Sequence, residues 1–592
     1  FITPVFNLFF LLLLGLLLKK TLRWFAFNRA ELLIIYQMLV MLCTVSGHNP
    51  MDFLLGTLAH PFWFATYENE YANLFHRYIP QWFTVRDKEV LAGFFEGDST
   101  LYTAEHISAW LGPILLWSLI TFVIFFILIG INSIQRLQWT EREKLSYPMV
   151  QLPLEMTEAG FFKKNLLWFG FAVASFIEIV NGLHFLYPIV PGIPVKGYNL
   201  GQIFTTKPWN AIGWLPIYLY PWVIGLTFFV PLDMSFSVWF FFLFTKIQLL
   251  IGSIGGWKSL PGYPYYNHQG LGAWITLGIL ILLASRKHLK GVFSRVFSKH
   301  CGIDDSKEAF SYRTAVIAII VGMIFLIVLF HQAGMSIGIL LAFFAIYFAM
   351  SISITHARAT VGLPYHEIYQ THPQLMLVSA LGTRKVGPAN LTILSFLYPY
   401  VRDNVSHPMP SQLEGLKIAE RVGIDNRKIT IAMIVGLFFS TLAAFWAYLH
   451  VMYRYGATLS SGYILGIGRE NFDNLLSPWL QIPRDVDIQG VSFTALASVF
   501  TILLMFMKRR FIWWPFHPAG YALGLSSGTV WIWSAVLAGW LIKAIILKFG
   551  GLKLYRKAGP FFFGIVLGDY VIGSLWSIIG TSLGIQVYRV WY

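Results

Sequence analysis

Again and again this chain stays apolar for about the thickness of a bilayer, and that repetition constrains the fold more than any other feature. A helix needs about 20 mostly apolar residues to cross the hydrocarbon core. Such stretches run near 3–18, 31–46, 109–131, 165–184, 213–231, 234–254, 270–285 and 314–331. Others follow near 335–354, 429–450, 490–507, 529–547 and 560–582. The expected fold is an all-α polytopic helical bundle of about 13 to 16 spans, lying in a lipid bilayer. Only 12% of residues are charged, against about 25% in an ordinary soluble domain.

A net charge of +15 would suggest nucleic acid in a soluble protein. Here the basic residues stand in short tracts beside apolar segments, the positive-inside pattern, and no nucleic-acid motif accompanies them. Cys43 lies in an apolar stretch and Cys301 in a basic loop, so they give no disulfide framework. The first apolar stretch carries Lys19 and Lys20 after its core rather than before it, which makes it a span and not a cleavable signal. The chain begins at Phe1, and we expect a missing N-terminal piece before it.

Charge also orients the spans. With Lys19, Lys20, Arg23 and Arg29 on the cytoplasmic side, alternation places the aromatic-rich loop 47–108 outside, where acidic residues outnumber Arg77, Arg86 and Lys88. It places 286–313, with its run of basic residues from Arg286 to Arg313, inside, and Lys508-Arg509-Arg510 inside as well. The chain therefore divides into an N-terminal membrane half (1–285), a basic cytoplasmic linker (286–313) and a C-terminal membrane half (314–592). The location expected is a prokaryotic cytoplasmic (inner) membrane.

Two segments break the alternation. Lys508–Arg510 and the group Lys543, Lys548, Lys553, Arg556 and Lys557 both belong inside, with one clear span between them. Residues 511–528, "FIWWPFHPAGYALGLSSG", must cross back, and Pro515, Pro518, Gly520 and Gly524 make that crossing short. We expect a re-entrant helical hairpin from the cytoplasmic side. Residues 385–402, "KVGPANLTILSFLYPYVR", pose the same problem. Paired broken segments in two halves point to a transporter's binding site, and kinked packing helices are the plainer alternative. The segment 403–428 reads as a proline-led turn and a surface amphipathic helix. The aromatics of 47–108 read as interfacial anchors or a lid.

Glu178, Lys246 and Asp569 fall within apolar spans, and Asp233 and Arg358 near span ends. A charge at mid-bilayer costs about 2.5 to 3.5 kcal/mol, so these groups face a partner or a wet path. Lys246 is expected to pair with Glu178 or Asp569. Either a proton or cation relay or a buried structural ion pair fits. His356, His366 and His372, beside Glu367, lack the close spacing of metal ligands. No G-x-S-x-G, P-loop or H-E-x-x-H motif is placed for chemistry. No enzyme activity, cofactor or metal is expected.

The stretch "EREKLSYPMVQLPLEM", 141–156, follows a span with four charges and two prolines. Its "EKLSYP" resembles the K-L-T-Y-P-S-G-T-A-T-A signature of the oligopeptide transporter superfamily, in its yellow-stripe-like branch. "GIVLGDYVIGSLWSIIG", 564–580, resembles that family's late G-L-I-x-G-D helix, and "WPFHPAGYALG" precedes it in the family's order. The loop is also similar to one in a family of large bacterial and archaeal membrane proteins of unknown function, W-x-E-x-E-K/R-L-x-Y/F-P-x-x-Q-L-P. The resemblance implies inverted repeats, helical hairpins and proton-coupled uptake of peptides or metal chelates. It carries over to Leu145, Ser146, Tyr147, Pro148, Gly564, Gly568 and Asp569. Where that signature has small residues after its proline, this chain has Met149-Val150-Gln151.

The expected function is a secondary-active transporter, proton- or cation-coupled, for oligopeptide-like or chelate-like small molecules. The alternative is a non-transporting scaffold or anchor subunit in a larger membrane assembly. A homo-oligomer or other membrane subunits are the protein partners either reading allows. Candidate pathway residues are Glu178, Asp233, Lys246, Ser146, Tyr147, Pro148, Gly568 and Asp569. The prolines should make 146–153 broken backbone that packs beside the Gly564–Asp569 helix.

Overall fold

The computed structural model describes residues 2–21, 27–46, 50–298, 303–362 and 367–590. Arg23, Cys301 and His366 lie outside the described residues, as do the side chains of Lys19 and Lys20. Among the described residues ten helices are long and apolar enough to cross a membrane, and the protein is a multi-pass, all-α membrane bundle. Among those residues strands are confined to one antiparallel ribbon, Lys196–Asn199 against Pro216–Tyr218. One apolar core draws on residues from Val5 to Val571.

Contacts define two faces. On the basic face, Arg29 pairs with Glu158 (3.3 Å), Arg136 with Glu308 (2.7 Å) and His356 with Glu143 (3.0 Å), and Lys508 meets Asp233. On the opposite face, Asp98 N–H donates to Arg454 O (3.2 Å) and Asp487 N–H to Ser379 O (2.9 Å). The Leu232–Ile254 and Ile488–Arg510 helices, 23 residues each, run about 35 Å between these faces.

Several readings need correction. The stretch 213–231 is not a span. Pro216, Pro221 and Pro231 divide it, and its only helix, Pro221–Thr227, has 7 residues, about 10 Å of rise. The expected spans 529–547 and 560–582 lie on one helical run, Thr529–Leu583, bent at Gly551 (φ 58°). Within the aromatic loop, Pro50–Trp63 is a helix, buried from Met51 to Pro61, that extends the Arg29–Ser46 crossing. The segment 403–428 is not a surface feature. Its helix Pro408–Val422 buries every residue from Met409 to Ala419, because Glu414 finds Arg358 as a buried partner (2.8 Å).

Pro148 does not break helix; it starts one. Pro148–Met156 is helical with Pro148 in its first turn, where the missing N–H costs nothing. The strain is taken by Tyr147, at φ 46°.

Candidate functional site

The 511–528 crossing docks on the segment that leads into the second broken crossing. After Lys508 the chain turns, and Ser237 Oγ accepts from His517 N–H (2.8 Å). The short helix Pro518–Gly524 then climbs the Leu232–Ile254 helix. A Cβ on Gly520 would lie 2.3 Å from Ser237 Cβ, and one on Gly524 2.6 Å from Phe241 Cβ. That contact demands glycine at both positions, and it lifts the chain by about 6 Å between them. Residues 525–528 form the tip, and the Thr529–Leu583 helix descends until Lys543 Nζ donates to Val230 O (2.6 Å). This is the hairpin that the proline and glycine spacing predicts.

At the tip, Gly528 N–H donates to Glu367 O (3.2 Å), Ser527 Oγ donates to the same carbonyl (3.1 Å), and Tyr369 N–H donates to Ser527 Oγ (3.0 Å). From there Pro373–Leu381 leaves for the opposite face. The chain reverses through Gly382 and Gly387, both at positive φ, and Pro388–Leu397 returns inward. A 3-10 turn, Tyr398–Tyr400, ends this second hairpin. Irregular backbone thus lies within the bundle, with its polar groups paired by protein.

Beside this junction lies a half-buried ion pair that the sequence reading missed. Arg402 donates through Nε (3.2 Å) and Nη2 (3.0 Å) to Glu470, and Tyr398 O–H donates to the same carboxylate. The rings of Phe53 and Tyr369 each sit 4.7 Å from the guanidinium. Glu470 belongs to a π-helical turn, Arg469–Leu476. Such turns often mark functional sites, but nothing in the bare sequence announces one.

Glu178 and Asp569 do come together. Gly564 and Gly568 let the Asn165–Leu186 helix and the end of the Thr529–Leu583 helix touch backbone to backbone in the same direction. A Cβ on Gly564 would lie 2.0 Å from Leu167 O, and one on Gly568 2.5 Å from Phe171 O. Small residues four apart allow that approach. Both carboxyls are buried, at 1% and 0% exposure, and each lies within electrostatic range of the other and of Lys196. Asp569 Oδ2 accepts from Trp222 N–H (3.0 Å). Glu178 Oε2 has no hydrogen-bond partner among the described residues. Lys196 lies over the Tyr588 ring (4.2 Å) and so ties the ribbon to the last described residues above the pair.

The other candidates lie elsewhere. Lys246 pairs with neither carboxylate. Its Nζ donates to Trp214 O (2.7 Å) and Ile212 O (3.4 Å), because the segment before the Pro221–Thr227 helix folds back over it. Asp233 is held at the basic face by Lys508. Ser146, Tyr147 and Pro148 dock on the end of the Ile337–Val361 helix, not beside Gly564–Asp569. Ser146 Oγ donates to Thr360 O (2.7 Å), Tyr147 N–H to Ala359 O (2.8 Å), and Pro148 packs against Gly362. No group of three metal-ligating side chains occurs among the described residues.

Over residues 1–592 the chain matches the family described as "Family of unknown function (DUF6785)", and it belongs to that family. No curated protein matches it.

Proposed function

We propose that this member of the DUF6785 family is a secondary-active transporter of a prokaryotic cytoplasmic membrane, driven by a proton or cation gradient. The observation that carries the reading is the docking of the 511–528 hairpin tip, at Ser527–Gly528, on Glu367–Tyr369, the segment that leads into a second hairpin inside the bundle. Broken elements of this kind provide unwound backbone for substrate and coupling ions, and their rocking alternates access. The resemblance of "EKLSYP" and the Gly564–Asp569 helix to the oligopeptide transporter superfamily suggests peptide-like or chelate-like cargo. Glu178 and Asp569 are the proton-carrying pair in this reading. Two carboxylates in one buried place repel, and a shared proton relieves that repulsion.

The test is uptake by the reconstituted full chain in liposomes under an imposed pH gradient, with labelled di- and tripeptides and iron chelates as probes. Accumulation that collapses with the gradient, and that Asp569→Asn abolishes while the variant remains folded and inserted, is the expected result. Absence of gradient-driven uptake across those probes, or full uptake by Asp569→Asn, would leave the scaffold reading in its place.

A further inference from the structure

We propose that the helix Arg286–Phe297 lies in the cytoplasmic membrane interface and binds acidic phospholipid there. Its 12 residues, RKHLKGVFSRVF, include no acid. Arg286, Lys290, Phe293 and Phe297 stand at i, i+4, i+7 and i+11, which puts two cations and two rings on one stripe. All four are exposed, Phe293 by 54% and Phe297 by 88%, and exposed Lys287 flanks them. Among the described residues, Arg295 is the one cation of the helix with an ion-pair partner, Asp305 (3.2 Å).

The two ends of the helix fix its depth. Near its start, His288 Nδ1 accepts from Arg142 Nη1 (3.4 Å), so Nε2 donates to Ile134 O (2.7 Å), at the end of the Ala104–Arg136 helix. Near its finish, Arg295 donates to Asp305, whose Oδ2 accepts from Tyr312 N–H (3.0 Å), the first residue of the Tyr312–Gln332 helix. Both ends are tied to the ends of spans, so a helix about 18 Å long runs along the bilayer boundary instead of away from it. Its inner side buries His288 and Val292. The Tyr312–Gln332 helix beside it stands at the lipid edge: only 17% of its apolar stretch is buried, and Ile317, Ile320, Val321 and Ile324 are exposed. Cations and rings on one stripe at that level suit a lipid, with phosphate on Arg286 and Lys290 and the rings at the acyl boundary. A zwitterionic headgroup leaves the charge of this acid-free helix unbalanced, whereas an acidic one neutralises it. Each Lys or Arg near an acidic leaflet strengthens attachment about fivefold.

The test is hydrogen exchange at residues 288–298 of the full chain in nanodiscs of phosphatidylcholine, alone or with phosphatidylglycerol added. Exchange should be at least about fivefold slower with phosphatidylglycerol, and the difference should vanish near 1 M salt, where the screening length is about 3 Å. Arg286→Gln/Lys287→Gln/Lys290→Gln should remove the difference, and the charge-keeping Arg286→Lys/Lys290→Arg should retain it. Phe293→Ser/Phe297→Ser should speed exchange in both lipids. Exchange across 314–331 reports that each variant is folded. Equal exchange of the unaltered chain in the two lipids would overturn the acidic-lipid assignment. Unaltered exchange in Phe293→Ser/Phe297→Ser would mean that the stripe is bathed in water, and the interfacial placement would fall. Uptake enters neither outcome, so a failure of the transport reading leaves this one standing.

Discussion

Replacing Arg402 with Met tests whether the junction is held by its ion pair. The guanidinium donates twice to Glu470 and lies between two rings, with side-chain exposures of 13% and 16% for the two partners. At an effective dielectric of about 20, opposite charges about 4 Å apart attract by about 4 kcal/mol. Desolvating both ions costs several kcal/mol in return, so the intact pair gains little over an apolar pair of the same size. Removing one partner is different. Arg402→Met leaves a half-buried carboxylate with only the Tyr398 and Tyr369 hydroxyls, and Glu470→Leu leaves a guanidinium with two rings and the charge of Asp403. Each single variant should lose about 3–5 kcal/mol. The double variant Arg402→Met/Glu470→Leu should recover most of that loss. Reversible unfolding in mixed micelles, run as a double-mutant cycle, measures the coupling. Single losses below about 1 kcal/mol, or a double variant as unstable as the sum of the two, would refute the reasoning.

Three further outcomes follow from the geometry. Gly564→Ala places a Cβ 2.0 Å from Leu167 O, so the helices must part, at a cost of about 1–3 kcal/mol. Gly559→Ala, with only Phe229 at 3.8 Å, should leave thermal unfolding unchanged. Lys246→Met should speed hydrogen exchange across residues 209–215, since Lys246 donates to Trp214 and Ile212 carbonyls, yet leave exchange near Glu178 as it was. Burial pushes the Glu143 carboxyl up, but hydrogen bonds from His356 and Gln138 more than offset it, and it sits below its usual 4.5. A depressed carboxylate contributes stability that is full above about pH 4.5 and lost as pH falls through the lower folded value. Glu143→Gln should flatten that part of the acid limb in Tm measured from pH 7 to pH 3.

Apolar length and charge made the spans and the 511–528 hairpin legible, because lipid leaves a chain few ways to satisfy its backbone. Partners across the bundle were not. Lys246 reads as needing a carboxylate, since periodicity does not reveal that 209–215 folds back to offer carbonyls. Glu414 and Lys417 make 408–422 look solvated, and only the buried Arg358 explains how that helix goes inside. Arg358 itself, flagged near a span end, was the available signal. Pro148 keeps Tyr147 out of helix as its ring requires and then starts Pro148–Met156, whereas Pro153 is carried inside that helix, which a sequence does not announce.

Interrupted crossings at depth carry a cost that unbroken spans avoid. Continuous helices satisfy every backbone group within one segment, whereas each break must find partners one by one. Here those partners are other breaks: Gly528 and Ser527 bond to Glu367 and Tyr369, while Glu470 in the π turn holds Arg402 just after the Tyr398–Tyr400 turn. Elements tied to each other in this way can move only together. A change at the hairpin tip therefore reaches the Arg402–Glu470 pair through Tyr369, whose ring lies on that guanidinium and whose N–H lies on Ser527. Tyr369→Ala should uncouple the two. The expected signature is faster hydrogen exchange at 469–476 with exchange at 525–530 unchanged, because the backbone Tyr369 N–H keeps its bond to Ser527 Oγ. Equal acceleration in both segments would mean that the bundle loosened as a whole, and the linkage through Tyr369 would fall.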